Sequence, residues 1–347
     1  MNLLASYKGS IRQRVRVPHA FGLVLALCMI GTSAGGQTDP VSSVRLGLPI
    51  DCVLGQTCEI QNYVDRDPST SSKDYMCGSN SYEAHSGVDF RIPDMAAQRR
   101  GVPVMAAAAG RVLRVRDGVA DVSVKTLSPG SVSGRECGNG LVIDHGGGLT
   151  TQYCHMANGS ISVQSGTQVR AGEKLGLVGL SGNTEYPHLH FTVRRGDTVV
   201  DPFAPAAGTG TTCGGGQSMW QDRLGPSIGY KAGTILNAGF ASDPVTMGLV
   251  EQGGIASPDA ASGAIIAYVR AINLRAGDVQ EFTLRAPNGA ILAKHTAPPL
   301  SASQAQRLLF IGKNRPQTGW LRGRYVAQYG VVRGGRTIMQ REFDLRL

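Results

Sequence analysis

Tyr186-Pro187-His188-Leu189-His190-Phe191 sets two imidazoles two residues apart inside an apolar, strand-like run. In a strand, residues i and i+2 point to one face, so His188 and His190 project side by side. Two histidines on one sheet face are half of a zinc site, and the rest must be a carboxylate or imidazole from elsewhere in the chain. His85-Ser86-Gly87-Val88-Asp89 supplies both types, and His155, in Gln152-Tyr153-Cys154-His155-Met156, is a further candidate for the same cavity. A lone His-x-His is more often a polar strand face than a metal site, so the weight rests on the three pieces together.

In this order the pieces resemble the signature of the M23 (lysostaphin/LytM-type) family of zinc peptidases: H-x-x-x-D, a lone histidine after an aromatic residue, then H-x-H. The resemblance runs from about Ser81 to Phe203 and includes Gly101-Val102-Pro103-Val104-Met105-Ala106-Ala107, Gly138-Asn139-Gly140-Leu141-Val142-Ile143-Asp144-His145-Gly146 and Val169-Arg170-Ala171-Gly172-Glu173-Lys174-Leu175-Gly176. It implies that His85, Asp89 and His190 hold Zn2+ with a fourth position left to water, and that His155 and His188 are the catalytic pair. Either of that pair could take the water's proton, give one to the leaving amine or bond the oxyanion, and the residues do not divide these roles. It also implies an endopeptidase acting on stem or cross-bridge peptides of peptidoglycan. Gln61-Asn62-Tyr63-Val64-Asp65 resembles a lead-in of some exported members and adds little about mechanism.

Outward from these motifs the pattern is all-β. Glycine accounts for 47 of 347 residues. Short β-branched runs at 102–106, 110–115, 140–145 and 149–153 alternate with turn residues, which predicts antiparallel strands rather than βαβ units. Residues 117–137 form a Ser/Gly/Pro-rich insertion that could wall a groove, although a tolerated surface loop is the commoner outcome. Beyond a glycine-rich stretch, runs at 264–269, 279–284, 290–293, 307–311, 323–329 and 337–343, with a Pro287-Asn288-Gly289 turn, suggest an immunoglobulin-like β-sandwich. The expected organisation is a signal peptide (1–36), a disulfide-stapled lead-in (37–80), an antiparallel-sheet LytM-type peptidase domain (81–203), a linker (204–227) and a basic β-sandwich domain (228–347).

Lys8, Arg12, Arg14 and Arg16, followed by the apolar run Phe21–Ile30 and then small residues, read as a cleaved secretory leader, so the protein is expected in the periplasm or outside the cell. A lipid anchor at Cys28 is the alternative, against which stands the bulky Leu27. The net charge of +9 falls to +5 without the leader, and the excess lies at 228–347, with 14 basic and 7 acidic side chains. Such a surface suits an anionic wall polymer or a partner protein, and a solvated face with no partner is at least as common. Export and the lack of a basic-aromatic motif disfavour nucleic acid. Six cysteines remain after the leader, an even number that reads as disulfides. Folding at Gly146-Gly147-Gly148 brings Cys137 to Cys154. Cys52 with Cys58 makes a short loop and leaves Cys77 for Cys213.

Rival readings are weaker. A Cys154–His155 cysteine protease conflicts with strand alternation, which points the two side chains to opposite faces. A Cys2His2 structural zinc site lacks paired spacing. His145 reads as a turn or supporting residue, His295 as isolated, Asp144 and Tyr153 as strand-surface residues that could line the cleft, and Gly176, Gly179 and Gly182 as turn glycines rather than a phosphate loop. The alternative of another class is a non-catalytic LytM-type regulator that binds the wall and activates an amidase. Members resembling that role usually lack a metal ligand, and all five positions are intact here.

Overall fold

The structure, a computed structural model, describes residues 44–206, 213–214 and 217–347. The expected leader, with Cys28, lies outside them.

Alternation and glycine turns build the first half. Its strands are β1 (Glu59–Asn62), β2 (Val88–Arg91), β3 (Pro103–Met105), β4 (Gly110–Arg116), β5 (Asn139–Asp144), β6 (Leu149–Met156), β7 (Gln168–Val169), β8 (Lys174–Leu177), β9 (His188–Arg195) and β10 (Thr198–Val200). An eight-stranded sheet runs β1-β2-β9-β6-β5-β4-β7, with β10 on β9, and β3 pairs with β8 separately. Every pairing is antiparallel, as the alternating runs require. Gly146, Gly147 and Gly148 all take positive φ between β5 and β6, a conformation that side chains rarely tolerate. That turn brings Cys137 and Cys154 together, and the disulfides Cys137–Cys154, Cys52–Cys58 and Cys77–Cys213 are all formed.

Helix α1 (Met95–Arg100) starts on an Asp94 cap and stops at Gly101, where φ is 83°. The core under the sheet runs from Leu46 to Ile228. Trp220 and Met219, from the stretch expected as a linker, are buried in it, and Leu46 bridges to Trp220.

The second half has β11 (Thr234–Ala241), β12 (Ala264–Leu274), β13 (Val279–Arg285), β14 (Ile291–Thr296), β15 (Gln304–Asn314), β16 (Arg324–Arg333) and β17 (Arg336–Arg346). They form a three-stranded sheet, β11-β12-β15, and a four-stranded one, β14-β13-β16-β17. The inner faces share one core that includes Val269, Phe282, Ala327 and Tyr329. The Pro287–Gly289 turn closes as its residues demand, with Gly289 at φ 82°. Between β11 and β12, helix α2 (Met247–Gln252) begins on a Thr246 cap and ends at Gly253. The described residues form one compact unit.

Candidate metal centre

Register decides which side chains meet. Asp89 lies opposite His190 across β2 and β9, His190 opposite Cys154 on β6, and Asn62 of β1 opposite Asp89. These residues therefore form one row across four strands, and His188 lies two residues further along the same face. His85 comes in from the loop before β2, behind Ala84, whose φ of 59° turns the chain toward the sheet. Gly87 is needed for close approach, because a Cβ there would stand 2.6 Å from His190 Nε2.

Three atoms converge. His85 Nε2 is 3.2 Å from His190 Nδ1 and 3.2 Å from Asp89 Oδ1, and His190 Nδ1 is 2.9 Å from the same carboxylate oxygen. Each residue's other polar atom is engaged elsewhere. His85 Nδ1 donates to the Tyr63 carbonyl at 2.7 Å, His190 Nε2 meets Thr192 Oγ1 at 3.0 Å, and Asn62 Nδ2 donates to Asp89 Oδ2 at 2.9 Å. The Tyr63 carbonyl selects the His85 tautomer with a lone pair on Nε2, and the Thr192 hydroxyl can donate to His190 Nε2 or accept from it, so His190 Nδ1 is free to face the carboxylate oxygen as a ligand atom. Three potential ligand atoms lie this close together, and two imidazoles with one carboxylate suit zinc.

The titration directions of the three differ, and burial first pushes His190 below the ordinary histidine value. Burial opposes charge on His85, yet the Asp89 carboxylate lifts its pKa above the ordinary value. Burial alone would raise Asp89, but the His85 and His188 rings hold it well below the usual carboxylate range. The Asp89 carboxylate thus stays ionised and favours a positive partner beside it.

Two further histidines flank the cluster. His188 Nδ1 donates to the Tyr186 carbonyl at 3.0 Å, which leaves Nε2 3.5 Å from Asp89 Oδ1. His155 Nδ1 donates to the Ser181 carbonyl at 2.8 Å, and its ring centroid is 4.7 Å from that of His188. Burial first, then the neighbouring His188 and His190, push His155 well below the ordinary histidine value, so it stands neutral with Nε2 unprotonated. All five expected side chains thus gather at one end of the β2-β9-β6 face. A cleft of about 320 Å³ opens on His85, His155 and His190, with Glu136 and Cys137 of the 117–137 insertion on its wall.

Three expectations need correction. Cys154 does not face away from His155, because both line the cleft. His155 has φ 61°, a left-handed backbone at which strand alternation lapses. The cysteine protease still fails, for another reason: Cys154 is bonded to Cys137 and offers no thiol. Tyr153 does not line the cleft but is fully buried, its hydroxyl accepting from Ala107 N. Asp144 stays at the hairpin and accepts from Gly146 N. Nor is the Gln61–Asp65 run peripheral to the chemistry, since Asn62 and Tyr63 orient Asp89 and His85. His145 behaves as a supporting residue, bonded to the Ala109 carbonyl and Thr151 Oγ1 away from the cleft. Thr192 was within reach of sequence reading, two residues after His190 on the same strand face. Asn62 and Tyr63 carry no spacing signal.

Residues 83–202 match the family model described as Peptidase family M23. Among relatives, DD-carboxypeptidase/endopeptidase Mpg of Neisseria meningitidis is 32% identical over 130 residues, which is 38% of this chain and 24% of that protein. Peptidoglycan DD-endopeptidase ShyB of Vibrio cholerae is 32% identical over 117 residues, covering 34% of this chain and 22% of that one. Murein hydrolase activator EnvC of Escherichia coli is 40% identical over 62 residues, 18% of this chain and 14% of its own. The chain spans about a quarter of the length of the first of these relatives and less of the others.

Proposed function

Because residues 83–202 belong to peptidase family M23, we propose that this chain is an exported, zinc-dependent endopeptidase that hydrolyses peptide bonds in peptidoglycan stem or cross-bridge peptides. One observation carries the reading: the inward atoms of His85, Asp89 and His190 converge while each outer atom is already bonded. These three residues would hold zinc. Bound there, the ion supplies a Lewis acid that polarises a carbonyl and acidifies water.

The rest is work for the chain's own groups. His155, neutral and fixed through Nδ1, offers Nε2 as a proton acceptor on the cleft wall. His188, fixed through the Tyr186 carbonyl, turns Nε2 toward the same centre and can donate to an oxyanion or a leaving amine. Relatives named for DD-endopeptidase activity support the substrate class. Three disulfides support an oxidising compartment, and among the described residues no helix is long and apolar enough to cross a membrane.

The proposed domain limits are 81–203 for the peptidase and 228–347 for an immunoglobulin-like sandwich, whose basic surface suits an anionic wall polymer. A second reading, a non-catalytic regulator that activates an amidase, draws on the similarity to the activator EnvC. The intact five-residue constellation weighs against it.

The test is to incubate the purified protein with intact peptidoglycan, with and without chelator, and to identify released fragments by mass. The enzyme reading expects newly cleaved cross-links that disappear with chelator. Fragments appearing only when an amidase is added would favour the regulator.

A further inference from the structure

Arg91, at the end of β2, lies opposite His188 in the sheet and is fully buried. Its guanidinium carbon sits 3.6 Å from the centroid of the Tyr186 ring. Arg91 Nη1 donates to Gln61 Oε1 at 2.8 Å, and Gln61 Nε2 donates to the Tyr186 hydroxyl at 2.8 Å. The ring is therefore gripped on one face and at its tip. That grip fixes the backbone of residue 186, whose carbonyl accepts from His188 Nδ1 at 3.0 Å and from Thr184 Oγ1 at 2.8 Å.

Arg91 is itself held from the second half of the chain. Its Nη2 donates to Glu251 Oε2 at 2.7 Å, and Glu251 belongs to α2. Arg270 of β12, also fully buried, binds the same Glu251 oxygen and the Pro93 carbonyl, with Nε donating to Asn237 Oδ1 at 2.8 Å. Asn273 Nδ2 adds a 2.6 Å bond to the Gln61 carbonyl.

We propose that the C-terminal sandwich positions His188: Glu251 holds Arg91, Arg91 carries the Tyr186 ring, and Tyr186 fixes the histidine. The kinetic consequence rests on the function proposed above. Adhesion between the halves does not account for the cluster. Two buried guanidiniums surround one carboxylate, and Arg91 Nε and Glu251 Oε1 are buried without a hydrogen-bond partner. Well-packed apolar side chains commonly join surfaces at least as stably as a buried ion cluster. What an apolar seam would lack is a rigid planar cation beneath Tyr186. Glu251, Arg91 and Tyr186 are thus positioning residues, acting through His188.

The experiment compares the full-length, zinc-loaded protein with Glu251→Gln, Tyr186→Leu and Tyr186→Phe on a soluble cross-linked peptide. Tyr186→Leu is included because it leaves the Glu251–Arg91 pair intact and so preserves the fold should Glu251→Gln fail to accumulate. Tyr186→Leu is expected to lower kcat at least tenfold, with KM within about threefold and zinc content unchanged, and Glu251→Gln to do the same in a smaller measure. Tyr186→Phe, which keeps the ring on Arg91, should recover most of the loss. In 15N spectra the His188 ring signals should shift and broaden in Tyr186→Leu while those of His85 and His190 stay put. This readout holds even if the parent cleaves nothing, so failure of the enzymatic reading and failure of the positioning claim are separable. Folded, zinc-loaded Tyr186→Leu with parental kcat, or with unaltered His188 signals, overturns the proposal.

Discussion

Two carboxylates, buried Asp89 on β2 and half-buried Glu251 on α2, differ in what surrounds them. Asp89 is ringed by imidazoles, which can be neutral and offer a ring nitrogen as a ligand, whereas Glu251 is clasped by Arg91 and Arg270, which are always charged. At Glu251 the compensating charge is built into the chain. At Asp89 it has to arrive, and the site is shaped to receive it. A third carboxylate completes the series: Asp201 is buried with Oδ2 unbonded, and burial, outweighing the pull of Arg66, pushes its pKa up to about 6. Metal, arginine and, in mildly acidic solution, a proton are three answers to one electrostatic problem, and only the first leaves an ion open to substrate.

Changes at Asp89's partners should have the largest effects. His190→Ala should lose zinc and hydrolysis together, by about a thousandfold or more, since a metal's Lewis acidity contributes several kcal/mol. Metal analysis beside a cleavage assay checks both. Gly87→Ala belongs to the same class, because its methyl would occupy the place of the His190 ring, and zinc affinity should fall with it. His155→Ala should separate the two properties, keeping zinc but losing about a hundredfold or more in kcat. Parental kcat there would remove His155 from the acid–base role.

Smaller effects test the outer bonds. Asn62→Ala or Thr192→Val should weaken zinc binding by about 10–100-fold, measured by competition with a chromogenic chelator. Equal affinity would mean that these contacts do not orient the ligands. Asp201 gives the smallest effect. Its folded pKa is raised, so the folded state holds the proton more tightly than the unfolded state does. Stability should therefore fall as pH rises from about 4 to about 6, and Asp201→Asn should flatten that slope in thermal melts. A slope unchanged by the substitution would show that Asp201 is not its source.

How much of this was legible in the chain follows from the range of each physical rule. Period-two alternation is local, so it located β4, β5, β6 and β9 and put His188 and His190 on one face. Three consecutive glycines read as a hairpin turn, and folding the chain there implied the Cys137–Cys154 pairing, which is formed. Alternation misled only at His155, where a left-handed backbone sends neighbouring side chains into the same cleft. Asn62, Tyr63 and Glu251 lay beyond reach because tertiary packing and strand register between distant segments, not spacing along the chain, bring them to their partners. The glycine-rich stretch at 204–227 illustrates the same limit. Composition read it as a tether, while Trp220 within it packs against Phe90 and Phe203, a contact only the folded core reveals.

The most direct test of the central claim is a zinc titration of the chelator-stripped, folded protein by calorimetry. A single tight site per chain is expected, absent in His190→Ala, with peptidoglycan cleavage restored in step with occupancy. A folded protein that takes up no zinc, or that cleaves equally well when stripped, would contradict it.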